Sequence, residues 1–450
     1  MWPGAGSALA AAGAMQLGFS DNAFVTAKGP EVMDLAIKSG GRLVRLNCAW
    51  SVVARARPAD EQNPADPAYD FAALDAAVRA AIARGLRPFI LIGAAPPWAE
   101  GPGRPAIGKE DGAQANVAPG AWKPDAAAFG RFAAAVASRY SGTFRAAAGD
   151  QPLPRVRDFQ AWNEPNLNTY LAPQWERAGS GYRAYAPDHY RTMLNAFSSA
   201  VKRVRNDNFV ITAGTAPYGN PAGEWRRRPL AFWRDALCVR AKCANPARFD
   251  ALAHHPYGSP LDDSFNADDL PILGVRRLMA LLRGAENLGR VSKRDHPLWI
   301  TELGIETSPP DPDGVSLAAQ ENYLQLSLYR LWSAGVRSVA WFQVIDADQG
   351  DGYSSTVQAG LYLKSGKAKR AAKAFAFPFA TDPDRPGIYW GIAPASGKVR
   401  IERRARGRWV LVRELSVGTG RTFTGRGPWP SGTLLRARQG AHVSLSWRAL

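Results

Sequence analysis

Two glutamates in this chain stand where acid–base chemistry would place them: Glu164, in the run VRDFQAWNEPN, and Glu302, in PLWITELG. Each follows a short run of β-branched and aromatic residues, so each falls at the C-terminal end of a strand, where a barrel of parallel strands builds its active site. Two carboxyl groups on either side of an acetal carbon can break its C–O bond. One protonates the departing oxygen while the other attacks the carbon or activates water. The attacking acid must stay ionised and the other must hold its proton, and unlike surroundings can separate the two.

The elements that must position these acids are legible as an alternation of short apolar runs and longer Ala-rich segments, the pattern of parallel βα units. Strands are expected at Gln16–Phe19, Arg42–Asn47, Arg87–Ile92, Val156–Trp162, Phe209–Ala213, Phe249–His254, Leu298–Thr301 and Val336–Gln343. Between them Leu74–Ala83, Ala126–Tyr140, His189–Val204, Val275–Leu288 and Ala319–Trp332 have apolar residues spaced three and four apart, as helices do. Eight such units predict a closed (β/α)8 TIM barrel, with Glu164 on strand four and Glu302 on strand seven. A doubly wound sheet would need a glycine-rich loop after the first strand, but Gly18 is followed by FSDNAF. Two insertions, Gly93–Lys123 and Leu167–Pro187, follow strand ends and are expected to wall a cleft. After a helix at Lys367–Phe375 the pattern changes to alternating segments at Val399–Arg403, Trp409–Leu415, Leu434–Arg438 and Val443–Trp447. The expected organisation is therefore a catalytic barrel over residues 1–376 and a small antiparallel β-sandwich domain over 377–450, with the boundary near Phe377–Pro386.

The motif Trp162-Asn163-Glu164-Pro165-Asn166, with Glu302 in its ITELG context, resembles clan A of the glycoside hydrolases, most of all family 39 and its relatives. The resemblance covers about residues 15–376, and the C-terminal segment fits that family's accessory sandwich only loosely. It implies that Glu164 is the general acid/base and Glu302 the nucleophile of a retaining hydrolase acting on a carbohydrate, in all expectation a β-glycoside. By the same resemblance Arg45 (LVRLN) would hold the nucleophile ionised and Asn163 would bond the sugar 2-hydroxyl. His255 and Tyr257 (HHPYG) would sit beside the nucleophile, and Trp341 (VAWFQV) would form the aromatic floor under the sugar. Trp98 (APPWAEG) and Trp50 (NCAWSVV) are further candidates, because aromatic faces stack on the apolar faces of pyranose rings. The plainer readings are a barrel salt bridge for Arg45 and core packing for Trp341 and Trp50.

Composition narrows the alternatives. With 46% hydrophobic and 21% charged residues the 450-residue chain is ordinary globular protein, and no apolar stretch reaches the roughly 20 residues of a membrane span. A net charge of +17 raises the question of nucleic acid or an acidic polysaccharide. The basic residues are scattered, with clusters at Arg226–Arg228 and Arg403–Arg408, and no nucleic-acid-binding motif accompanies them, so no nucleic-acid partner is expected. No metal or other cofactor is expected either: His254 and His255 are adjacent and would face opposite ways on a strand, with no third ligand. Asp346, Asp348 and Asp351 break the calcium-loop spacing and read as solvated loop acids. Cys238 and Cys243 are close enough in sequence for a local disulfide, with a reduced pair as the alternative. Met1–Met15 lacks the basic start of a complete signal peptide; read as the trimmed end of one, it places the protein outside the cell or at its surface, with the cytoplasm as the alternative. The rival to a hydrolase is a non-catalytic carbohydrate-binding or cell-surface protein on the same barrel. No motif specifies the sugar, its linkage or an oligomeric state.

Overall fold

The eight apolar runs form eight parallel strands: β1 (Gln16–Ser20), β2 (Leu43–Ala49), β3 (Arg87–Gly93), β4 (Asp158–Ala161), β5 (Phe209–Thr215), β6 (Ala251–His254), β7 (Leu298–Ile300) and β8 (Val336–Phe342). β1 pairs with both β2 and β8, and the sheet closes in the order β1-β8-β7-β6-β5-β4-β3-β2. These relations come from a computed structural model that describes residues 14–106, 112–292, 295–349, 352–353 and 357–449. Asp351, part of the Gly93–Lys123 insertion and most of Met1–Met15 lie outside the described residues. Every strand end falls within two residues of its expected place.

A helix follows each strand: α1 (Gly29–Lys38), α2 (Ala72–Ala83), α3 (Ala126–Arg139), α4 (Ala186–Val204), α5 (Pro229–Ala236), α6 (Val275–Asn287), α7 (Leu317–Ser333) and α8 (Arg370–Ala376). Their starts are encoded locally: Asp125 and Ser316 accept N-cap bonds from Ala128 and Ala319, and a proline occupies the first turn of α1, α4 and α5. Inside the barrel, Leu43, Phe89, Ile211, Ala251, Ala253, Trp299 and Ala340 form a separate apolar cluster. The alanines leave room for Trp299, which meets Phe89 edge-on at 5.7 Å. This plug fills the middle of the barrel, so ligand can approach only from an end.

The C-terminal segment forms two antiparallel sheets. β9 (Phe379–Thr381), β10 (Ile388–Ile392) and β13 (Thr422–Arg426) make one; β11 (Gly397–Ala405), β12 (Arg408–Val417), β14 (Leu434–Gln439), β15 (His442–Val443) and β16 (Trp447–Arg448) make the other. Trp447 Nε1 donates to Thr381 Oγ1 across them at 3.0 Å. The first sheet leans on the barrel through Trp390, whose ring lies 6.0 Å from Tyr329 and 5.9 Å from Trp332 of α7. Arg330 adds an ion pair to Asp384. Cys238 and Cys243 are joined by a disulfide with a Cα–Cα distance of 5.7 Å. Among the described residues, no helix is long and apolar enough to cross a membrane.

The acids after β8 depart from the sequence reading. Asp346 is a buried ion-pair partner: its Oδ1 lies 2.7 Å from Nζ of Lys369, and both side chains are fully enclosed. Lys369 Nζ also donates to Thr307 Oγ1 at 2.7 Å. Asp348 does sit in solvent, paired with Lys364.

Candidate active site

Hydrogen bonds between strands that are not neighbours must cross the barrel interior, and such bonds build the site from below. One layer above the plug, Arg45 of β2 donates from Nε to Gln160 Oε1 of β4 at 2.7 Å and from Nη2 to Asn163 Oδ1 at 2.9 Å. Its Nη1 pairs with Glu302, just past β7. Gln160 is wholly buried and donates from Nε2 to Thr301 Oγ1 at 3.0 Å and to the Thr212 carbonyl at 3.1 Å. Thr301 Oγ1 lies 2.9 Å from His255 Nε2, and the other ring nitrogen, Nδ1, lies 2.9 Å from Glu164 Oε1. One buried amide thus orients the guanidinium under Glu302 and, through a hydroxyl, the imidazole beside Glu164. Tyr257 completes the ring by donating its hydroxyl to Glu302 Oε2 at 3.2 Å.

The turn that carries Glu164 is held against its backbone preference. Trp162 has φ 77° and Glu164 φ 36°, in the left-handed region, where a non-glycine residue costs about 1–3 kcal/mol. The surroundings impose this geometry. Trp162 N donates to the Ile92 carbonyl and Glu164 N to the Gly214 carbonyl, each at 2.9 Å. The Trp162 indole donates to the Tyr170 carbonyl, also at 2.9 Å. Asn166, fully buried, bonds the carbonyls of Ala216 and Arg227 from Nδ2 and takes the Ala216 N–H on Oδ1. At Gly214 the close approach of His255 excludes a side chain, because a Cβ there would lie 2.2 Å from Nε2 of the ring.

These supports bring the two carboxyl groups together. Single ligand atoms of Glu164, His255 and Glu302 lie within 4.8 Å of one another, while the carboxyl side chains keep 13% and 16% of their surface exposed. The same three atoms are, among the described residues, a group able to hold a metal ion, although Arg45 bonded to Glu302 opposes a cation there. Burial opposes charge on Glu302. The electrostatic pull of His255 and Arg45, with hydrogen bonds from Arg45 and Tyr257, outweighs it and holds this carboxyl below the usual glutamate range. Burial, then the charge of Glu302, pushes the Tyr257 phenol well up, so its proton stays available for donation.

The sequence candidates therefore divide. Glu164, Glu302, Arg45, Asn163, His255 and Tyr257 converge on one centre. Trp341 does not. It is fully buried, gives its indole N–H to the Ala359 carbonyl at 2.9 Å, and meets Tyr323 of α7 at 6.1 Å, so it lies outside the barrel wall. Ala340 belongs to the inner plug, and strand alternation therefore puts its inward partner at Phe342, which is partly exposed at the rim. Trp50 is also a packing residue, fully buried and stacked on Phe132 of α3 at 5.4 Å. Trp98 meets Trp50 edge-on at 5.4 Å, donates to the Ala54 carbonyl and carries the Arg57 guanidinium over its ring at 5.6 Å. It is half-buried in the loop after β3, with no contact to either carboxylate among the described residues. His254 turns away from the centre toward Thr215 and the Leu270 carbonyl, and burial pushes its ring down to about 3.

Three residues at the centre, and a fourth further along β2, carry no motif. Gln160 and Thr301 are polar at inward positions of apolar strands, a signal that strand alternation could have exposed. Tyr170 stands at the mouth, 37% exposed; burial and the charges of Glu164 and Glu302 raise its phenol. Asn47 is exposed two positions beyond Arg45, on the same face of β2.

A (β/α)8 barrel with paired carboxylates at its C-terminal rim and an appended β-sandwich is the class this molecule falls into. Solved proteins share that architecture at low identity. A family 39 glycoside hydrolase of Bacteroides cellulosilyticus superposes with a TM-score of 0.56 at 16% identity, over 92% of this chain and 81% of that one. A glucosidase of Croceicoccus marinus gives 0.53 at 16% identity, over 95% and 94%. A family 30 endoxylanase of Clostridium papyrosolvens gives 0.53 at 12%, over 96% of each. No protein-family profile matches the chain, and no curated protein matches it in sequence.

Proposed function

We propose that this protein is a retaining glycoside hydrolase that cleaves O-glycosidic bonds of an oligo- or polysaccharide, β-configured or similar, with Glu302 as nucleophile and Glu164 as acid/base. The observation that carries the reading is the pair of carboxyl groups, with oxygens within 4.8 Å of each other at the barrel rim. Double displacement uses carboxyls about 5–5.5 Å apart, whereas inverting enzymes leave about 6.5–9.5 Å for a water. The unlike surroundings support the division of roles, since Glu302 alone has a cation and a phenol bonded to it.

In the first step the Glu302 carboxylate attacks the anomeric carbon while Glu164 gives its proton to the leaving oxygen. The glycosyl ester removes the charge of Glu302. Glu164, now a carboxylate, takes a proton from water as that water attacks the anomeric carbon, and Glu302 leaves as a carboxylate. Asn163, fixed by Arg45, is positioned for the sugar hydroxyl next to the reacting carbon, and Phe342 takes the place expected of Trp341 beneath the ring. The Cys238–Cys243 disulfide supports an oxidising compartment, in keeping with a secreted or cell-surface protein.

The test is a screen of aryl glycosides and of plant and bacterial polysaccharides with wild type and Glu302→Ala. Wild type should hydrolyse at least one. Glu302→Ala should be inactive until azide or formate is added, and should then yield an adduct of inverted anomeric configuration. Binding of a glycan without hydrolysis of any would support the non-catalytic alternative instead.

A further inference from the structure

The positive charge is not spread evenly. Residues 377–450 contain 13 Lys and Arg but only four Asp and Glu, so one sixth of the chain carries +9 of the net +17. A general bias toward arginine would distribute the charge by length, and it does not.

The fold gathers much of this charge on one face. In the larger C-terminal sheet Val399, Ile401, Leu435 and Ala437 are buried in the core, so the residues alternating with them, Arg400, Arg436 and Arg438, lie on the outer face. Arg400 and Arg438 stand directly opposite each other in the β11–β14 register, a like-charge pairing that costs stability when nothing lies between. Two carboxylates offset part of the charge: Glu414 bonds Lys398 and Arg400, and Glu402 bonds Arg436. Arg404 and Arg438 are exposed on this face and have no carboxylate partner among the described residues. Beside them a shallow concavity of about 640 Å³ is lined by Lys398, Arg400, Arg438 and His442, with Glu414 its acid.

We propose that this outer face of the C-terminal sheet is a docking surface for an acidic polysaccharide, one that carries carboxylates along its length. The choice of a glycan as the polyanion rests on the hydrolase reading above; the demand for an anion rests on the sheet alone. Nucleic acid fits the face less well. The ring of Trp409 is already covered by the guanidinium groups of Arg404 at 5.4 Å and Arg436 at 4.3 Å, which leaves no free aromatic platform for bases among the described residues of this face. An extended chain of carboxylates needs only a row of cations, which side chains on alternate strand positions, about 7 Å apart, supply.

The experiment measures binding, so loss of hydrolysis and loss of docking are read separately. The full chain is titrated with polygalacturonate, with dextran as neutral glycan, and with a DNA duplex of equal charge, at low and high salt. Polygalacturonate should bind most tightly and weaken with salt. Arg400→Gln/Arg404→Gln/Arg438→Gln should bind it about tenfold more weakly, since three cations leave the row, with the barrel chemistry intact. A charge-matched control on the outer barrel helices, Lys38→Gln/Arg79→Gln/Arg203→Gln, should bind like wild type. The proposal is overturned by any of three results: dextran binding equal to polygalacturonate, DNA binding tighter than either, or equal losses in the two triple variants.

Discussion

The ends of β7 and β4 each present a glutamate to the same small space, but the chain supports them by opposite means. At β7 the support is electrostatic: the charge of His255 and the grip of Arg45 and Tyr257 outweigh burial and hold the Glu302 carboxyl below the usual range. At β4 the support is conformational: a strained turn, pinned by Asn166 and by backbone bonds to β3 and β5, aims Glu164 at the imidazole of His255. A grip of charges stabilises the ionised form of an acid. A pinned turn fixes where an acid points. Proximity brings two carboxyls together, and the difference between their supports is what the proposed division into nucleophile and acid/base rests on.

The difference is broken most severely at Glu302. Glu302→Ala should lower kcat by roughly 10⁵–10⁶-fold, the scale on which loss of a nucleophile falls in other enzymes, and steady-state assays with azide should restore turnover. Near-normal activity would remove the nucleophile from this account.

Glu164→Gln should act selectively. Substrates with poor leaving groups should slow by about 10²–10⁴-fold, while aryl glycosides with acidic phenols still form the glycosyl-enzyme, because those phenols depart with little protonation. Azide should then accelerate turnover, since it attacks without a base. Equal loss across all leaving groups with no azide rescue would mean that Glu164 is not the acid/base.

Arg45→Met tests the electrostatic grip. Without the guanidinium, burial is countered only by His255 and Tyr257, so the pKa of Glu302 should rise and the acid limb of the kcat/KM profile should move to higher pH. The sign for stability follows from the lowered folded value. Ionised Glu302 contributes above its unfolded pKa, about 4.3, and this is lost as pH falls through the folded value. Thermal melts of Glu302→Gln should therefore lose less stability than wild type below about pH 4.

Gln160→Leu should give the smallest effect, about a 10- to 150-fold drop in kcat/KM, as expected for about 1.5–3 kcal/mol lost from a hydrogen bond to a charged group. Because Gln160 touches Arg45 on one side and Thr301 on the other, both halves of the pair should suffer. The acid limb should shift up as in Arg45→Met, and the leaving-group dependence should steepen. A change in thermal stability alone, with an unmoved pH profile, would make Gln160 a packing residue only.

How far the site was legible follows from the same physics. Strands β1–β8 and the place of both glutamates at strand ends were readable because apolar runs end in acids that the core cannot bury, and a barrel turns such ends into one rim. Trp341 was misplaced because its size invites a binding role, whereas alternation from Ala340 makes Phe342 the inward residue. Trp50 failed for a related reason: it immediately follows β2, but its indole faces α3, not the barrel axis. Gln160 and Thr301 escaped because a lone amide or hydroxyl in a strand has no signature until its partners across the barrel are known. Asp346 looked solvated because its partner, Lys369, is 23 residues away in sequence. Breaking that buried pair from either side should cost about 3–5 kcal/mol, far more than a loop acid would.

The central claim is that these two carboxyls act by double displacement. The most direct measurement is the anomeric configuration of the first-formed product, followed by proton NMR before mutarotation, on whichever glycoside the screen shows to be cleaved. The account predicts that the product keeps the configuration of the bond broken. A product of inverted configuration would contradict it, because a carboxyl pair this close has no place for the water that inversion requires.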